Sequence, residues 1–440
     1  MSTENQAPPV EQSVELKDVR RSFLKNSAAA GAVGATVPFL NRSVHAAGSD
    51  IIKVGLVGCG GRGNGAAQNA MRADPGCRLT AISELFYNRL EDGKKLLTKT
   101  LGEQYAVPDD QCFSGWDCLE KILATDIDVV ILATPPGFRP AQMEAAVAAG
   151  KHVFCEKPVA VDPVGVRRVM AASEMAKEKG LSVVSGLCWR YDLGVKATIE
   201  QIHNGAIGDI VSIQENYLAS TLWHRNSEPN WTPLHKQVAN WLYYSWLSGD
   251  HIVEQFIHSL DKAMWLNHDV PPVKCYGIGG RQVRTGEEYG DVYDHFTIVY
   301  EWANGTRCFA ATRQMEGCYN ETEDYVFGSE GTARVLANTI KGKVDWKYSG
   351  DKPSMYDLEH VALMNAIRRN EPINNGDYMS KSTLLAIMGR EAAYSGQIIT
   401  WEDAINSEMK LGPDKVADWG DAPPVEVKMP GRYRFIEEDN

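Results

Sequence analysis

Residues 51–63 read Ile-Ile-Lys-Val-Gly-Leu-Val-Gly-Cys-Gly-Gly-Arg-Gly, an apolar run that leads directly into the spacing Gly58-x-Gly60-x-x-Gly63. An alanine-containing amphipathic segment follows at residues 66–71. This order predicts a buried parallel strand, a tight turn and the start of a helix. In such a turn the first glycine permits the bend, the second lets a pyrophosphate approach the backbone, and the third lets the helix pack on the strand. The segment therefore predicts a dinucleotide site whose phosphates face the N–H groups of a helix N-terminus.

An acidic residue follows the turn at the distance that such a site requires. The predicted strand at residues 78–83 ends in Glu84, where a carboxylate would bind a ribose 2′-hydroxyl and repel a 2′-phosphate. The predicted cofactor is therefore NAD rather than NADP. The cofactor-binding residues predicted from this first unit are Gly58, Gly60, Gly61, Arg62, Gly63 and Glu84.

The composition is that of a soluble globular protein with room for two domains. The chain has 440 residues, of which 44% are hydrophobic and 23% are charged. A net charge of −12 without a basic cluster in the body of the chain argues against nucleic acid as a partner. The nine cysteines include no CxxC pair, which indicates free thiols rather than zinc ligands.

The first 47 residues have the pattern of an export signal. A basic stretch, Arg20-Arg21-Ser-Phe-Leu-Lys, precedes a mildly apolar Ala/Gly run, and a small-residue cleavage context follows at residues 44–47. The paired arginines resemble the twin-arginine signal. The apolar run is too short and too rich in glycine to anchor the mature chain in a bilayer. We therefore predict that residues 1–47 are a signal peptide and that the mature protein is periplasmic without a membrane anchor.

From residue 51 to about residue 157, short apolar runs alternate with helical patterns. This alternation predicts right-handed βαβ units and a parallel, doubly wound sheet. The fully apolar strand at residues 129–134 ends in Thr134 and Pro135. Because ligands of open α/β sheets bind at the carboxyl ends of strands, both residues are predicted to contact the cofactor.

The second half of the chain has a different pattern. Between residues 210 and 327, longer runs alternate with a period of two and little helix separates them, which predicts an open, mainly antiparallel sheet with one packed face. The predicted fold is thus α/β, with a Rossmann domain at residues 50–185 and an α+β domain with a large open sheet at residues 186–400. Residues 401–440 are predicted to be a tail that wraps on the surface.

Four motifs occur in a characteristic order: the glycine turn, Ala-Thr-Pro at residues 133–135, Ala-Gly-Lys-His-Val at residues 149–153, and Glu156-Lys157-Pro158. With them the chain resembles the Gfo/Idh/MocA family, the glucose–fructose oxidoreductase and inositol dehydrogenase group, from residue 51 to about residue 401. The resemblance implies an NAD(P)-dependent oxidoreductase that acts on a sugar, polyol or glycoside. It also implies homodimer or homotetramer contacts through the second domain. Glu156 and Lys157 would border the cofactor, and Lys157 would stabilise charge on the reacting oxygen.

Residues 248–261 read Ser-Gly-Asp-His-Ile-Val-Glu-Gln-Phe-Ile-His-Ser-Leu-Asp. As one helix capped by Asp250, this stretch places His251, Glu254, His258 and Asp261 on one face. A solvated face is the alternative to a functional site. The two histidines and Glu254 could also bind a metal ion, but their order is not HExxH and seven residues separate the histidines, so the prediction is no metal.

The family that the chain resembles has the pattern Gly-Gly-x-x-x-Asp-x-x-x-His-x-x-Asp here. Gly249, His258 and Asp261 match it, and Glu254 replaces the first aspartate. The resemblance implies that His258 is the general base that removes a hydroxyl proton. Glu254 would orient the substrate or the base, and it completes the predicted catalytic set with Lys157.

A tryptophan-rich insertion at residues 223–246 precedes this segment. Aromatic rings beside hydrogen-bonding side chains suit a carbohydrate cleft, and an aromatic subunit interface is the alternative. Residues from three parts of the chain are predicted to contact substrate: Arg190, Tyr191, Trp223, His251 and Asp261.

Export constrains the function, because a periplasm offers no obvious pool of free NAD. The hypothesis that follows is a tightly bound cofactor that is regenerated in place, in a cycle that oxidises one sugar and reduces another. Two alternatives stay open. One is an NAD-dependent glycoside hydrolase that oxidises its substrate transiently, and the other is a non-catalytic NAD-retaining sugar-binding protein. The presence of Lys157 and His258 favours catalysis.

Overall fold

The glycine-rich segment folds as a strand, a turn and a helix. In the computed structural model, which describes residues 50–413, 416–420 and 422–437, strand β1 (Ile52–Val57) leads into helix α1 (Gly61–Ala73). Gly58 between them has φ +99°, a conformation that glycine adopts without a steric penalty. A Cβ atom on Gly63 would lie 1.8 Å from the carbonyl oxygen of Gly58. The helix can therefore start this close to the turn only because residue 63 has no side chain.

The first sheet is parallel and has six strands in the order β3-β2-β1-β4-β5-β6. Its other strands are β2 (Cys77–Glu84), β3 (Cys112–Ser114), β4 (Val129–Leu132), β5 (His152–Cys155) and β6 (Val183–Ser185). The helices between them are α2 (Tyr87–Leu101), α3 (Cys118–Leu123), α4 (Arg139–Ala148) and α5 (Pro163–Glu178). The strand order reverses between β1 and β4, and such a switch point opens a crevice for a ligand. The predicted Rossmann fold is confirmed.

The second sheet has nine strands in the order β14-β13-β12-β11-β7-β10-β9-β8-β15. Among the pairings, only β7 with β10 is parallel, so the predicted mainly antiparallel sheet is confirmed. Its strands are β7 (Ile210–Ala219), β8 (Lys274–Gly280), β9 (His295–Glu301), β10 (Arg307–Gln314), β11 (Glu321–Gly328), β12 (Gly331–Arg334), β13 (Thr339–Gly342), β14 (Trp346–Lys347) and β15 (Ile399–Thr400). The helices that precede β8 are α6 (Leu193–His203), α7 (Pro233–Ala239), α8 (Ser245–Ser248), α9 (His251–Glu254) and α10 (Ile257–Leu266).

Three later helices follow β14: α11 (Met355–Arg369), α12 (Gly376–Ser395) and α13 (Trp401–Asn406). Helix α11 returns to the first sheet, where Asn69 Nδ2 and Arg72 Nη2 donate to Asp357 Oδ1 at 2.6 and 2.8 Å. Leu363 and Met364 of α11 are buried in the core around β1 and β2. The layer that supports the glycine turn is therefore completed by residues about 300 positions further along the chain.

Residues 248–261 do not form the single helix that the sequence predicts. The stretch divides into α9 and α10, because the N–H of Phe256 donates to the carbonyl oxygen of His251, five residues back, at 3.0 Å. An i to i+5 bond inserts one residue into the helical register. The predicted common face of the four ionisable residues is therefore wrong. The sequence analysis also missed α5, although Asp162 is an N-cap that accepts from Gly165 N–H and Pro163 occupies the first turn.

Some of the predicted segments fall on residues that the structure does not describe. The predicted signal peptide, residues 1–47, lies outside the described residues, and so do parts of the predicted tail. In the part of the chain that the structure describes, none of the helices has the length and apolar character needed to cross a bilayer.

Substituting Gly63 by Ala tests the close contact between turn and helix. The added methyl group would force the Gly58 backbone to move, so we expect the Gly63→Ala variant to lose about 1–3 kcal/mol of unfolding free energy. Gly65 lies on the same helix, and a Cβ there would meet nothing closer than Arg62 Nη1 at 3.6 Å. The matched Gly65→Ala variant should be as stable as the parent or gain up to about 1 kcal/mol. Equal urea-unfolding midpoints for the two variants would contradict the steric argument.

Candidate active site

A cavity of about 640 Å³ lies at the carboxyl ends of the parallel strands, beside the switch point. Its volume is in the range of small-molecule and cofactor sites. The cavity wall includes all ten residues that the sequence analysis assigned to the cofactor, which are Gly58, Gly60, Gly61, Arg62, Gly63, Glu84, Thr134, Pro135, Glu156 and Lys157. A Cβ atom on Gly60 or Gly61 would meet nothing within 4 Å. Open space therefore lies against the backbone at the start of α1, where a pyrophosphate would fit.

Glu84 is held rigidly at the end of β2. Its Oε2 accepts the N–H of Cys59 at 2.9 Å, and its Oε1 accepts the N–H of Phe86 at 3.2 Å. The carboxylate is largely buried, with 8% of the residue exposed. A fixed carboxylate beside the glycine turn can accept a hydrogen bond from a ribose hydroxyl. The residues present thus fit NAD.

Arg62 brings a positive charge to the same end of the cavity. Its Nε donates to Glu156 Oε1 at 2.5 Å, and its guanidinium lies 4.9 Å from the ring centre of Tyr356. Glu359 lies behind it, with its Oε1 at 3.9 Å from Arg62 Nη2. Burial first, and then the neighbouring Glu156, raise the pKa of Glu359 well above its usual value. Arg62 borders the cavity, so the guanidinium N–H groups that do not bond to Glu156 can donate to phosphate oxygens there.

Lys157 and Glu254 form an ion pair on the wall of the same cavity. Lys157 Nζ donates to the backbone carbonyl oxygen of Glu254 at 2.6 Å and to its Oε1 at 3.1 Å. Both side chains are mostly buried, with 15% and 13% exposed. The pair joins the loop after β5 to helix α9. It holds an ammonium group against the cavity in one position.

His258 lies on the cavity wall near this pair. Within the described residues, its buried Nδ1 has no hydrogen-bond partner. Burial lowers the pKa of His258 well below its usual value, and the positive charges of Lys157 and Lys262 lower it further. Lys262 is close because its Nζ donates to the carbonyl oxygen of His258 at 2.6 Å. The imidazole is therefore neutral at neutral pH and can accept a proton.

Arg139 is a site residue to which the sequence analysis gave no role. The residue is 4% exposed, and its Nη1 and Nη2 donate to the carbonyl oxygens of Pro158 and Thr134, each at 2.5 Å. It thereby ties the Glu156-Lys157-Pro158 segment to the end of β4. Arg139 follows the predicted cofactor residue Pro135 by four residues, and this closeness is the sequence signal that could have predicted a role in the site. In the structure Arg139 lies on the cavity wall.

The structure places four of the five predicted substrate residues outside the cavity. Arg190 donates through Nη2 to Asp261 at 2.8 Å and to Asp269 at 2.6 Å, and Tyr191 donates to Asn375 at 2.8 Å. These contacts satisfy the side chains within the protein. The prediction that Arg190, Tyr191 and Asp261 contact substrate is corrected accordingly.

His251 also lies away from the large cavity. Its Nδ1 is 3.0 Å from Asp250 Oδ1, and the residue borders a separate small cavity with Arg284 and Gln314. The extra residue in the helical register separates it from His258, which corrects its assignment to the substrate. Across residues 50–413, 416–420 and 422–437, no three or more His, Cys, Asp and Glu residues are grouped so as to hold a metal ion.

Trp223 is the fifth predicted substrate residue, and it does border the large cavity. The guanidinium of Arg225 lies 4.7 Å from its ring centre, and Trp241 and Trp246 contribute to the same wall. The tryptophan-rich insertion therefore faces the site with aromatic and hydrogen-bonding groups together. This is the arrangement expected of a carbohydrate cleft.

The chain matches known protein families over both halves. Residues 52–187 match the GFO/IDH/MocA oxidoreductase family, NAD-binding Rossmann fold, and residues 195–334 match the GFO/IDH/MocA C-terminal domain. An inositol 2-dehydrogenase of Burkholderia multivorans is 31% identical over 329 residues, which cover 72% of this chain and 86% of that protein. A glycosyl hydrolase family 109 protein of Shewanella amazonensis is 22% identical over 343 residues, which cover 74% and 67%.

Solved structures share the fold. A scyllo-inositol dehydrogenase from Lactobacillus casei, solved with bound NAD(H) and scyllo-inositol, superimposes with a TM-score of 0.61 at 21% identity. The match covers 80% of this chain and 99% of that chain. An aldose-aldose oxidoreductase from Caulobacter crescentus matches with a TM-score of 0.62 at 20% identity, over 80% of this chain and 99% of that chain.

Removal of the Lys157 charge should raise the pKa of His258. In a Lys157→Met variant one of the two cations that lower this pKa is gone, and burial keeps the value below that of a free histidine, about 6.5. The measurement is an NMR titration of the imidazole Cε1 protons. The control is a Lys274→Met variant, which removes a surface lysine that pairs with Glu301. In this variant the pKa of His258 should stay the same. A fall in the pKa of His258 on loss of Lys157 would contradict the electrostatic account.

Proposed function

The chain belongs to the GFO/IDH/MocA oxidoreductase family, and we propose from this premise that it oxidises a hydroxyl group of a sugar, polyol or glycoside with His258 as the base. The observation that carries the proposal is that His258 and Lys157 border the same cavity, with the Lys157 ammonium held by Glu254, and burial and this ammonium lower the pKa of His258. NAD, when bound along the glycine turn, supplies the hydride acceptor for such a reaction. The residues that would hold it are the glycines of the turn, Arg62 and Glu84.

His258 removes the proton of the reacting hydroxyl group. The lowered pKa leaves the imidazole unprotonated before the reaction, and His258 borders the cavity in which the substrate would lie. A base needs both conditions, because a protonated imidazole cannot accept the substrate proton and one away from the cavity cannot reach it.

Lys157 stabilises the charge that develops on the same oxygen. Its ammonium is held by Glu254 through the backbone oxygen and the carboxylate, so no reorganisation is needed when the charge develops. Glu254 is thus a positioning residue for Lys157, and its longer side chain relative to the family's aspartate still reaches the ammonium. Arg139 fixes the same segment from behind through Pro158.

The substrate class rests on the cavity wall and on the relatives. Trp223, Trp241 and Trp246 offer flat rings for the C–H faces of a sugar ring, and Arg225 offers donors for hydroxyl groups. The names of the relatives include inositol 2-dehydrogenase and a family 109 glycosyl hydrolase.

We propose further that the mature protein is exported by the twin-arginine route and keeps its cofactor. Arg20 and Arg21 with the following apolar run support export. A protein that is exported folded can take its cofactor along, and away from a pool of free NAD the cofactor must be regenerated by a second half-reaction on the same site. The net cycle would then oxidise one substrate and reduce another.

A glycoside hydrolase that uses transient oxidation is the second candidate. The similarity to the family 109 glycosyl hydrolase favours it. In that case the first oxidation labilises a glycosidic bond and the final step returns the hydride, so the net reaction is hydrolysis. The same three residues, Lys157, Glu254 and His258, serve both candidates, and only the products distinguish them.

The decisive experiment follows the reduced-nicotinamide absorbance of protein purified from the periplasmic fraction. We expect a chain that starts close to residue 48, carries bound nicotinamide, and changes between oxidised and reduced cofactor when particular sugars, polyols or glycosides are added. In a His258→Ala variant the rate of this change should fall by about 10²–10⁴-fold, while the bound cofactor remains. His203 lies outside the cavity wall, so His203→Ala is the matched control.

The outcomes separate the candidates. Reduction by one sugar and reoxidation by another supports the closed redox cycle, and release of a free sugar from a glycoside without net reduction supports hydrolysis. Bound cofactor that no substrate reduces would contradict catalysis and indicate a sugar-binding protein. Purified protein without bound nicotinamide that turns over only with added NAD would contradict retention of the cofactor and leave the oxidoreductase function in place.

We also propose that the chain forms a homodimer or homotetramer through the outer face of the second sheet. This face carries apolar side chains that are 38–71% exposed, on strands β8, β10 and β11: Tyr276, Ile278, Phe309 and Phe327. In the sheet, β9 separates β8 from β10, and β7 separates β10 from β11. Apolar groups clustered on one exposed face mark an interface.

Introducing a charge into this face should break the oligomer. We expect Ile278→Asp to convert the protein to a monomer, because a buried unpaired carboxylate is costly in an apolar interface. The measurement is the molar mass by light scattering during gel filtration. Val344 is also exposed, at 48%, but lies on the β13–β14 connection, so Val344→Asp should leave the mass unchanged. An unchanged mass for Ile278→Asp would contradict the assigned interface.

A further inference from the structure

The end of α13 and the segment after it are bound to the body of the protein at several points. Arg167 Nη1 donates to the carbonyl oxygens of Ile405 and Ser407, both at 2.7 Å. Asp162 Oδ2 accepts the N–H of Leu411 at 2.8 Å. These contacts are to the N-terminal end of α5, directly after the Glu156-Lys157-Pro158 loop. The tail therefore starts its course beside the candidate active site.

The tail then forms part of the cavity wall. Leu411, Pro413 and Val416 line the cavity together with the glycine turn and Glu84. Gly412, between the first two, packs so closely on Trp246 that a Cβ there would lie 2.7 Å from the indole ring. The cavity retains about 640 Å³ with these residues in place. The tail thus covers the cavity and does not fill it.

Trp419 lies over the aromatic residues at the Glu84 end of the cavity. Its ring centre is 5.4 Å from that of Phe86, 4.9 Å from that of Trp116 and 4.6 Å from that of His235. Phe86 and Trp116 line the cavity themselves, on the loops that follow β2 and β3. The indole Nε1 of Trp116 is buried and has no hydrogen-bond partner among the described residues. The rings of Phe86 and Trp116 on the cavity wall are surfaces on which a flat heteroaromatic ligand can stack.

From this geometry we propose that the tail, residues 407–413 and 416–420, completes the binding site for the adenosine half of the dinucleotide and slows its release. Leu411 and Val416 supply apolar cover. Trp419 is a positioning residue that holds Phe86 and Trp116 against the adenine. Glu84, which lies two residues before Phe86, fixes the end of the cavity at which the ribose and adenine bind.

The inference deepens the proposed function, because it supplies the physical means by which an exported enzyme would keep its cofactor. Release requires that the tail moves, and the tail is held by hydrogen bonds at both ends of the covered stretch. On the far side of Trp419, Gln237 Nε2 donates to the carbonyl oxygen of Pro423 at 2.9 Å. A ligand that is enclosed in this way dissociates more slowly without necessarily binding faster.

The test compares release of NAD from the full chain and from a Trp419→Ala variant. Protein loaded with NAD in vitro is chased with excess ADP-ribose, and the bound nicotinamide is measured over time. We expect release to be about 5- to 150-fold faster from Trp419→Ala, because Phe86 and Trp116 are then no longer held against the adenine and ring stacking to one base is worth about 1–3 kcal/mol. Trp346 lies on β14 and outside the cavity wall, so Trp346→Ala is the matched control with the parent rate.

A second measurement needs no substitution. Addition of ADP-ribose alone to the unmodified protein should slow amide hydrogen exchange in the peptide that contains Leu411 and Trp419. Nicotinamide mononucleotide should slow exchange there less, because it lacks the adenine. The hydroxyl group of Tyr433 donates to Glu391, and Tyr433 lies outside the cavity wall. Amide hydrogen exchange in the peptide around Tyr433 should therefore stay the same with either ligand.

The two proposals fail in different ways. If the unmodified protein binds NAD but Trp419→Ala releases it at the parent rate and the tail exchange is unaffected by ADP-ribose, the role of the tail is overturned and the proposed function stands. If the unmodified protein binds neither NAD nor ADP-ribose, the proposed function fails, and this inference fails with it. Faster release from Trp346→Ala to the same extent would also overturn the inference, since the effect would not be specific to the tail.

Discussion

The close approach of helix α1 to the turn after β1 is the constraint on which the rest of the site depends. A side chain at residue 63 would collide with the Gly58 carbonyl oxygen, so the helix starts against the strand end only because glycine is there. From that position its first N–H groups border the cavity. Glu84 is fixed to the same turn through the Cys59 N–H. The turn therefore sets both where phosphates would bind and where the ribose hydroxyls would meet an acceptor.

The candidate catalytic residues are brought together by tertiary contacts and not by one local sequence motif. Lys157 follows a strand of the parallel sheet, whereas Glu254 and His258 belong to the segment between β7 and β8 of the second sheet. The ion pair between Lys157 and Glu254 joins residues 97 positions apart, and the charge of Lys157 then acts on the pKa of His258. Arg139 binds the Lys157 segment from its other side. The properties of the site thus come from contacts between elements that are remote in sequence.

Sequence reasoning was most successful where a function requires a local pattern. The glycine spacing and the acid at residue 84 predicted six cofactor residues, the end of the apolar strand and the family resemblance added four, and all ten border one cavity. It failed for the stretch at residues 248–261, where a single i to i+5 hydrogen bond shifted the helical register. A helical periodicity cannot reveal such an insertion, because the apolar residues continue through it. Arg190 and Asp261 were misassigned for a related reason: two charged residues in the sequence gave no sign that they neutralise each other.

The amino-acid sequence was sufficient to predict the parallel sheet, the mainly antiparallel sheet and NAD as the cofactor, because these follow from short-range regularities: hydrophobic period, glycine positions and one acid at a fixed distance. The family followed from the resemblance that the four ordered motifs carry. The packing of remote elements established which ionisable groups share the cavity, that burial and two lysines lower the pKa of His258, and that the tail covers the Glu84 end. Burial and the pairing of charges depend on neighbours in space, and the residues concerned lie up to about 300 positions apart in the chain.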